Sequence, residues 1–357
     1  MTARRFIIAG LLASFFGCQP ASAAVIGVVA PRSGPYASLG AQVFQGARAA
    51  AEASGDTVIE IDESCDENGG ALAARGLADA KATAAIGFLC VETLSTALPA
   101  LKAAHIPAVT VSVRSKILME DTLRNGWPFF RMAPAEGDEA EKLSETILSI
   151  WKAEPIALVE DGTIYGRELA SAIRQHLEPM GMTPIFTDTF RPGQEQQVAL
   201  VRRLAKAGAT HVFVGGDRND MAIIARDGAS ENISLVLLGG DAMRAANRPV
   251  PLRDGVLAVA LPDYAALPSA TAAVAALRAK NIDPDGYMLP AYAAVELIHQ
   301  SATAAAGRPL ATVIGGGSFS TALGTIRFDK NHELIDNPFR LLEWRGSSFV
   351  LSRPVTE

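Results

Sequence analysis

The chain has 357 residues, 49% of them apolar but only 6% aromatic, and its 38 acidic against 32 basic side chains give a formal net charge of −6. A mildly acidic chain without a basic stripe or an RGG-like segment is not that of a nucleic-acid binder. Its length exceeds one mean domain and predicts two lobes.

Arg4 and Arg5 precede an apolar run over residues 6–16, and Ala21-Ser22-Ala23 supplies the small residues of a cleavage site. This is the pattern of an export signal covering residues 1–23, and the run is shorter than the ~20 residues of a membrane span. The expected product is a soluble periplasmic chain cleaved after Ala23 or Ala24. A lipid anchor on Cys18 is the competing reading, disfavoured by the bulky Phe15-Phe16-Gly17 in front of it. No second apolar segment reaches spanning length.

From Val25 onward strands and helices alternate. Strands are predicted at 25–30, 58–63, 84–89 and 107–113, with helices at 38–53, 69–80 and 94–104; Val43, Ala47 and Ala50 share one face of the first helix. Cys65 and Cys90 each follow an apolar or alternating segment. They are expected at the same end of neighbouring strands, and export to an oxidising compartment makes a disulfide the natural pairing. Residues 129–134 are a short extended piece ending at Pro134, a crossing between lobes.

A second series begins with a strand at 156–159, followed by a helix from Tyr165-Gly166 to Met180-Gly181. The next strand begins at Pro184-Ile185-Phe186, and Val198, Val201, Leu204 and Ala205 mark one face of a helix. Two matched apolar runs then stop at Gly215-Gly216-Asp217 and Gly239-Gly240-Asp241. The glycine pairs permit close backbone approach and leave each Asp just beyond its strand. A helix at 290–306, extended segments at 324–328 and 339–344, and a hairpin turn at 345–348 complete the chain. Repeated alternation with right-handed crossovers gives an α/β protein with two doubly wound, Rossmann-like sheets.

Enzyme signatures are missing: there is no G-x-S-x-G, no Walker A loop and no H-E-x-x-H. His105, His176, His211, His299 and His332 are scattered, so no metal site is predicted, and nothing calls for a cofactor. Gly315-Gly316-Gly317-Ser318 lacks a dinucleotide-binding frame and reads as a flexible loop. The chain is expected to bind rather than catalyse.

The segment 24–51, AVIGVVAPRSGPYASLGAQVFQGARAAA, resembles the opening of type I periplasmic binding proteins of the leucine/isoleucine/valine-binding class. Asp62-Glu63-Ser64-Cys65, Ile86-Gly87-Phe88-Leu89-Cys90, Tyr165-Gly166, Gly215-Gly216, Gly239-Gly240-Asp241 and Tyr292-Ala293-Ala294-Val295 follow in the same order. The resemblance implies two lobes joined by a multi-strand hinge, with 24–134 and 263–336 in one and 135–262 and 337–357 in the other. It further implies a ligand enclosed by hinge closure, a membrane ABC permease as partner, and a monomer. A sensory module that engages a regulator instead of a permease is the alternative.

The resemblance also proposes a site. Where relatives place a hydroxyl residue for the ligand carboxylate, this chain has Val91, followed by Glu92 and Thr93. The next strand end offers Ser112 and Arg114, and Leu39 replaces a frequent aromatic. Tyr165 and Asp241 match a tyrosine and an acid of the second lobe, the acid facing the ligand's ammonium. Asp217 and Tyr36 are further candidates, with helix capping and turn chemistry as their competing roles. Arg114 adds a full charge and a bidentate fork, which points to a small carboxylate-bearing ligand.

Overall fold

The computed structural model describes residues 23–245 and 249–352; Arg4, Arg5, the apolar run and Cys18 lie outside the described residues. The first lobe opens with β1 (Val25–Ala30), α1 (Ala37–Ser54), β2 (Thr57–Asp62), α2 (Glu67–Asp79), β3 (Ala84–Gly87), α3 (Val91–Ala103), β4 (Ala108–Thr110), α4 (Lys116–Asn125) and β5 (Phe129–Arg131). The strands are parallel, in the order β2-β1-β3-β4-β5. β1 is apolar along its length because both faces are covered. Ile26 and Val28 pack with Val43 and Phe44 of α1, while Val29 joins Leu77 of α2 and Leu94 of α3 on the other side.

The chain then crosses to α5 (Asp138–Ile150), β6 (Ile156–Glu160), α6 (Ile164–Leu177), β7 (Phe186–Thr189), α7 (Val198–Ala207), β8 (His211–Gly215), α8 (Arg218–Ser230), β9 (Val236–Gly239) and β10 (Leu257–Ala260). It returns through α9 (Thr271–Arg278), α10 (Met288–Ala305), α11 (Leu310–Gly316), β11 (Phe319–Thr321) and β12 (Gly324–Ile326). Leu277, Leu289, Tyr292 and Phe319 from this return complete the core that contains β1. The last hairpin, β13 (Arg340–Arg345) and β14 (Ser348–Leu351), adds antiparallel strands to the second sheet, ordered β14-β13-β10-β9-β8-β6-β7. Trp344 and Leu342 of that hairpin lie in the core shared by α7 and α8. Two α/β lobes with mostly parallel sheets result. Among the described residues no helix is long and apolar enough to cross a membrane.

The structure revises several predicted elements. β3 stops at Gly87 because Phe88 takes a positive φ of 55°. Cys90 then caps α3, which starts at Val91, three residues before the predicted 94. Gly315 and Gly316 end α11 instead of forming a loop. α4 was not foreseen; Ser115 caps it by accepting from the Leu118 N–H at 3.2 Å.

Cys65 and Cys90 form the expected disulfide, with their Cα atoms 5.2 Å apart. The strands before them are not neighbours, however: β1 lies between β2 and β3. The bridge reaches over the end of β1 because both cysteines sit in loops beyond the sheet. Beneath it, the Glu63 carboxylate is buried and accepts from the Leu89 and Cys90 N–H groups at 2.8 and 3.0 Å. Burial pushes its pKa up to about 7 from 4.5, against the lowering effect of those two amides; Glu92 and Asp62 add to the rise.

Two outcomes follow from this corner. The double variant Cys65→Ala/Cys90→Ala should lose about 3 kcal/mol of unfolding free energy in urea, the chain-entropy value for a loop of this size. Glu63 binds its proton more tightly folded than unfolded, so its contribution is complete below the unfolded pKa and is lost as pH rises through the folded one. Wild-type stability should therefore decline between pH 4.5 and 7 more steeply than that of Glu63→Gln. Parallel thermal-melt profiles for the two proteins would show no such difference if Glu63 were ionised throughout.

Candidate ligand-binding site

Parallel strands of both lobes end toward a common cleft, the place where open α/β sheets hold ligands. Near the crossings between lobes lies a cavity of about 440 Å³, within the size range of small-molecule sites. Ser112 and Arg114 enter it from the loop after β4, and Asp241 and Arg244 from the loop after β9. Tyr264 comes from the crossing after β10, and Tyr287 from the lead into α10. Ser112 Oγ and Tyr287 Oη are 3.2 Å apart and hydrogen bonded.

Arg114 is exposed and makes no side-chain hydrogen bond or ion pair among the described residues. Its position is set by a different arginine. Arg131, at the end of β5, is 1% exposed and pairs through Nε and Nη2 with both carboxylate oxygens of Glu333, each at 2.8 Å. Its Nη1 and Nη2 also donate to the carbonyls of Val113 and Ser115, at 3.4 and 3.1 Å. The residues on either side of Arg114 are thus held by one buried guanidinium. Burial raises the Glu333 pKa, and the Arg131 charge and hydrogen bond oppose that rise.

The second lobe presents a carboxylate hub. Glu139, in the first turn of α5, accepts at Oε1 from the Tyr165 hydroxyl at 2.6 Å and from the Asp241 N–H at 2.7 Å. A side chain at Gly240 would meet both Glu139 Oε1 and the Tyr165 hydroxyl, so that it could be admitted only by displacing the ends of those two side chains. Burial raises the Glu139 pKa against these hydrogen bonds and against the charge of Arg114. Burial, reinforced by Glu139, raises the Tyr165 pKa far above its usual value, so the phenol stays neutral and donates. Asp241 Oδ1 accepts from the Leu261 N–H at 3.0 Å, which ties the β9 loop to the crossing after β10.

Of the residues singled out in the sequence, Ser112, Arg114 and Asp241 line the cavity, and Tyr165 reaches Asp241 through Glu139. Thr93 does not: it is fully buried, and its hydroxyl donates to the Asp66 carbonyl at 3.4 Å. Asp217 is the N-cap of α8, accepting from the Asp220 N–H at 2.8 Å. Val91 and Glu92 open α3, and Tyr36 and Leu39 sit at the start of α1, all apart from the cavity lining. Glu63, Cys65 and Cys90 cluster closely enough for a metal, but both sulfurs are consumed by the disulfide.

A family model described as periplasmic binding protein matches residues 24–348. The chain belongs to the periplasmic binding protein family. Among its relatives, Leu/Ile/Val-binding protein homolog 3 of Brucella melitensis is 27% identical over 342 residues, covering 91% of this chain and 92% of the relative. An amino acid binding protein of Pseudomonas aeruginosa is 25% identical over 362 residues, covering 96% of each. The crystal structure of a protein described as a branched-chain amino acid ABC transporter from Rhodospirillum rubrum superposes with a TM-score of 0.78 at 17% identity, covering 92% of this chain and 100% of the other.

This periplasmic binding protein has residues supporting the cavity walls that the sequence did not reveal. Arg131 in Phe129-Phe130-Arg131-Met132 looks like a polar interruption of a crossing. Glu139 is one of three acids in the first turn of α5, a pattern that reads as complementing the helix dipole. The one available signal for Arg131 was a charge at the end of an otherwise apolar, buried strand. Arg131→Met should cost about 3–5 kcal/mol, the usual penalty for stripping one partner from a buried ion pair. Urea unfolding of the variant checks this; a loss under 1 kcal/mol would show that the pair does not hold the Arg114 loop.

Proposed function

We propose that this protein is the extracytoplasmic receptor of an ABC importer, capturing an amino acid or related small carboxylate between its two lobes. One lobe comprises 24–134 and 263–336, the other 135–262 and 337–357. The observation that carries this reading is that Arg114 of the first lobe and Asp241 of the second line the same cavity. A guanidinium with no internal partner is suited to a carboxylate, and an acid on the opposite wall is suited to an ammonium. Ligand contacts to both walls at once shift an open–closed equilibrium toward the closed form, which a membrane permease then recognises. The named relatives and the family membership support transport.

Export through a cleaved signal fits the start of the fold. Ala24 is buried, and its N–H donates to Asp56 Oδ1 at 2.9 Å, a carboxylate that also accepts from Ser54 and contacts His299. Cleavage after Ala23 leaves an α-ammonium on that carboxylate. The protein then acts as a monomer in the periplasm.

A thermal-shift screen over amino acids and carboxylates should reveal a ligand, since saturation at 100 times Kd stabilises by about 2.7 kcal/mol. Arg114→Ala should weaken that ligand about 10- to 100-fold, the value of a lost charge-assisted hydrogen bond. Titration calorimetry measures it, and wild-type affinity in the variant would refute the assignment.

A further inference from the structure

The cavity contains a second guanidinium, and its setting narrows the ligand class. Arg244 donates from Nη1 to the carbonyls of Leu261 at 2.7 Å and Pro262 at 2.8 Å. Those bonds use both Nη1 hydrogens and fix the plane of the group. The Nε–Nη2 edge has no hydrogen bond among the described residues, and this is an edge that takes a carboxylate as a fork. Arg114 approaches the same cavity from the other lobe, also without a hydrogen bond among the described residues.

The acids of the lining are engaged differently. Asp263 Oδ1 accepts from the Ala265 N–H at 3.0 Å, and Asp285 Oδ1 from the Gly286 N–H at 2.8 Å, so both serve local turns. Asp241 has one oxygen on Leu261 and belongs to the loop that also carries Arg244. Tyr264 stands within the fields of Arg244, Asp241 and Arg114; burial pushes its pKa up to about 12, so it offers a neutral hydroxyl. A ligand with one ammonium and one carboxylate would leave the free edge of one guanidinium without a ligand carboxylate in a closing, water-poor cleft, which is costly.

From the two guanidiniums on opposite walls and Asp241, the lining acid on the same loop as Arg244, we propose that the ligand is an amino dicarboxylate, with one carboxylate on Arg114, the second on Arg244 and the ammonium toward Asp241. The apolar lining, including Val111, Leu289 and Leu323, faces the connecting methylenes. This inference rests on the reading of the cavity as a carboxylate-binding cleft.

Titration calorimetry with L-aspartate, L-glutamate, L-glutamine, L-leucine and glutarate separates the two readings. The expected result is an amino dicarboxylate bound at least 100-fold more tightly than glutamine, leucine or glutarate. Arg244→Gln should reduce the preference over the neutral amide to under tenfold. Arg244→Lys, which keeps the charge and loses the fork, should fall between them and guards against misfolding of the first variant. Glutamine or leucine bound as tightly as glutamate, or an unchanged preference in Arg244→Gln, would overturn the inference while leaving carboxylate capture standing. Failure to bind any of the five would count against the carboxylate-binding cleft itself.

Discussion

The cleft depends on the buried Arg131 guanidinium. It closes an ion pair with Glu333 and at the same time holds the carbonyls flanking Arg114. Glu333 belongs to the segment after β12, about two hundred positions from β5, so the pair also joins two crossings between lobes. A charge removed from water this completely is tolerable only when both carboxylate oxygens and further acceptors meet it. The geometry supplies them, and in doing so leaves Arg114 as the side chain released toward the cavity. The internal arginine is satisfied; the one it positions is not.

Glu139 plays the matching role on the other wall. By accepting from Tyr165 and from the Asp241 backbone, it couples the first turns of α5 and α6 to the end of β9. Arg114 bears electrostatically on Glu139 and on Asp138. Each wall of the cleft therefore consists of a charged group that meets the cavity and a second group of the same charge sign, set behind it, that fixes its backbone. Such support is what keeps a binding constellation within the narrow geometric tolerance that recognition needs.

The fold was largely legible in the sequence because buried parallel strands are short apolar runs, and those at 25–30, 84–89 and 211–215 are hard to read otherwise. Sheet order was less visible. Cys65 and Cys90 suggested adjacent strands, yet β1 intervenes, since a doubly wound sheet inserts its first strand between later ones. Within the site, Ser112, Arg114 and Asp241, which line the cavity, were singled out by the family resemblance at the ends of strands. Arg244, Tyr264 and Tyr287 were missed because their convergence depends on tertiary crossings that no local pattern encodes. Asp217 resembled Asp241 in sequence, both following Gly-Gly. A long helix follows Asp217, whose carboxylate caps it; only a short 3₁₀ turn follows Asp241, whose carboxylate instead holds the Leu261 amide.

The interleaving of the two lobes along the chain has a consequence for biogenesis. α10 fills the core around β1, and β13 pairs with β10 at the far side of the second sheet. Neither core is complete until residues from the last fifth of the polypeptide have arrived. Contacts of such long sequence separation slow folding, so a chain emerging from its N-terminus first would stay incompletely packed for most of its passage. That delay would suit the proposed export, since a chain that crosses a membrane unfolded would then form both lobes together.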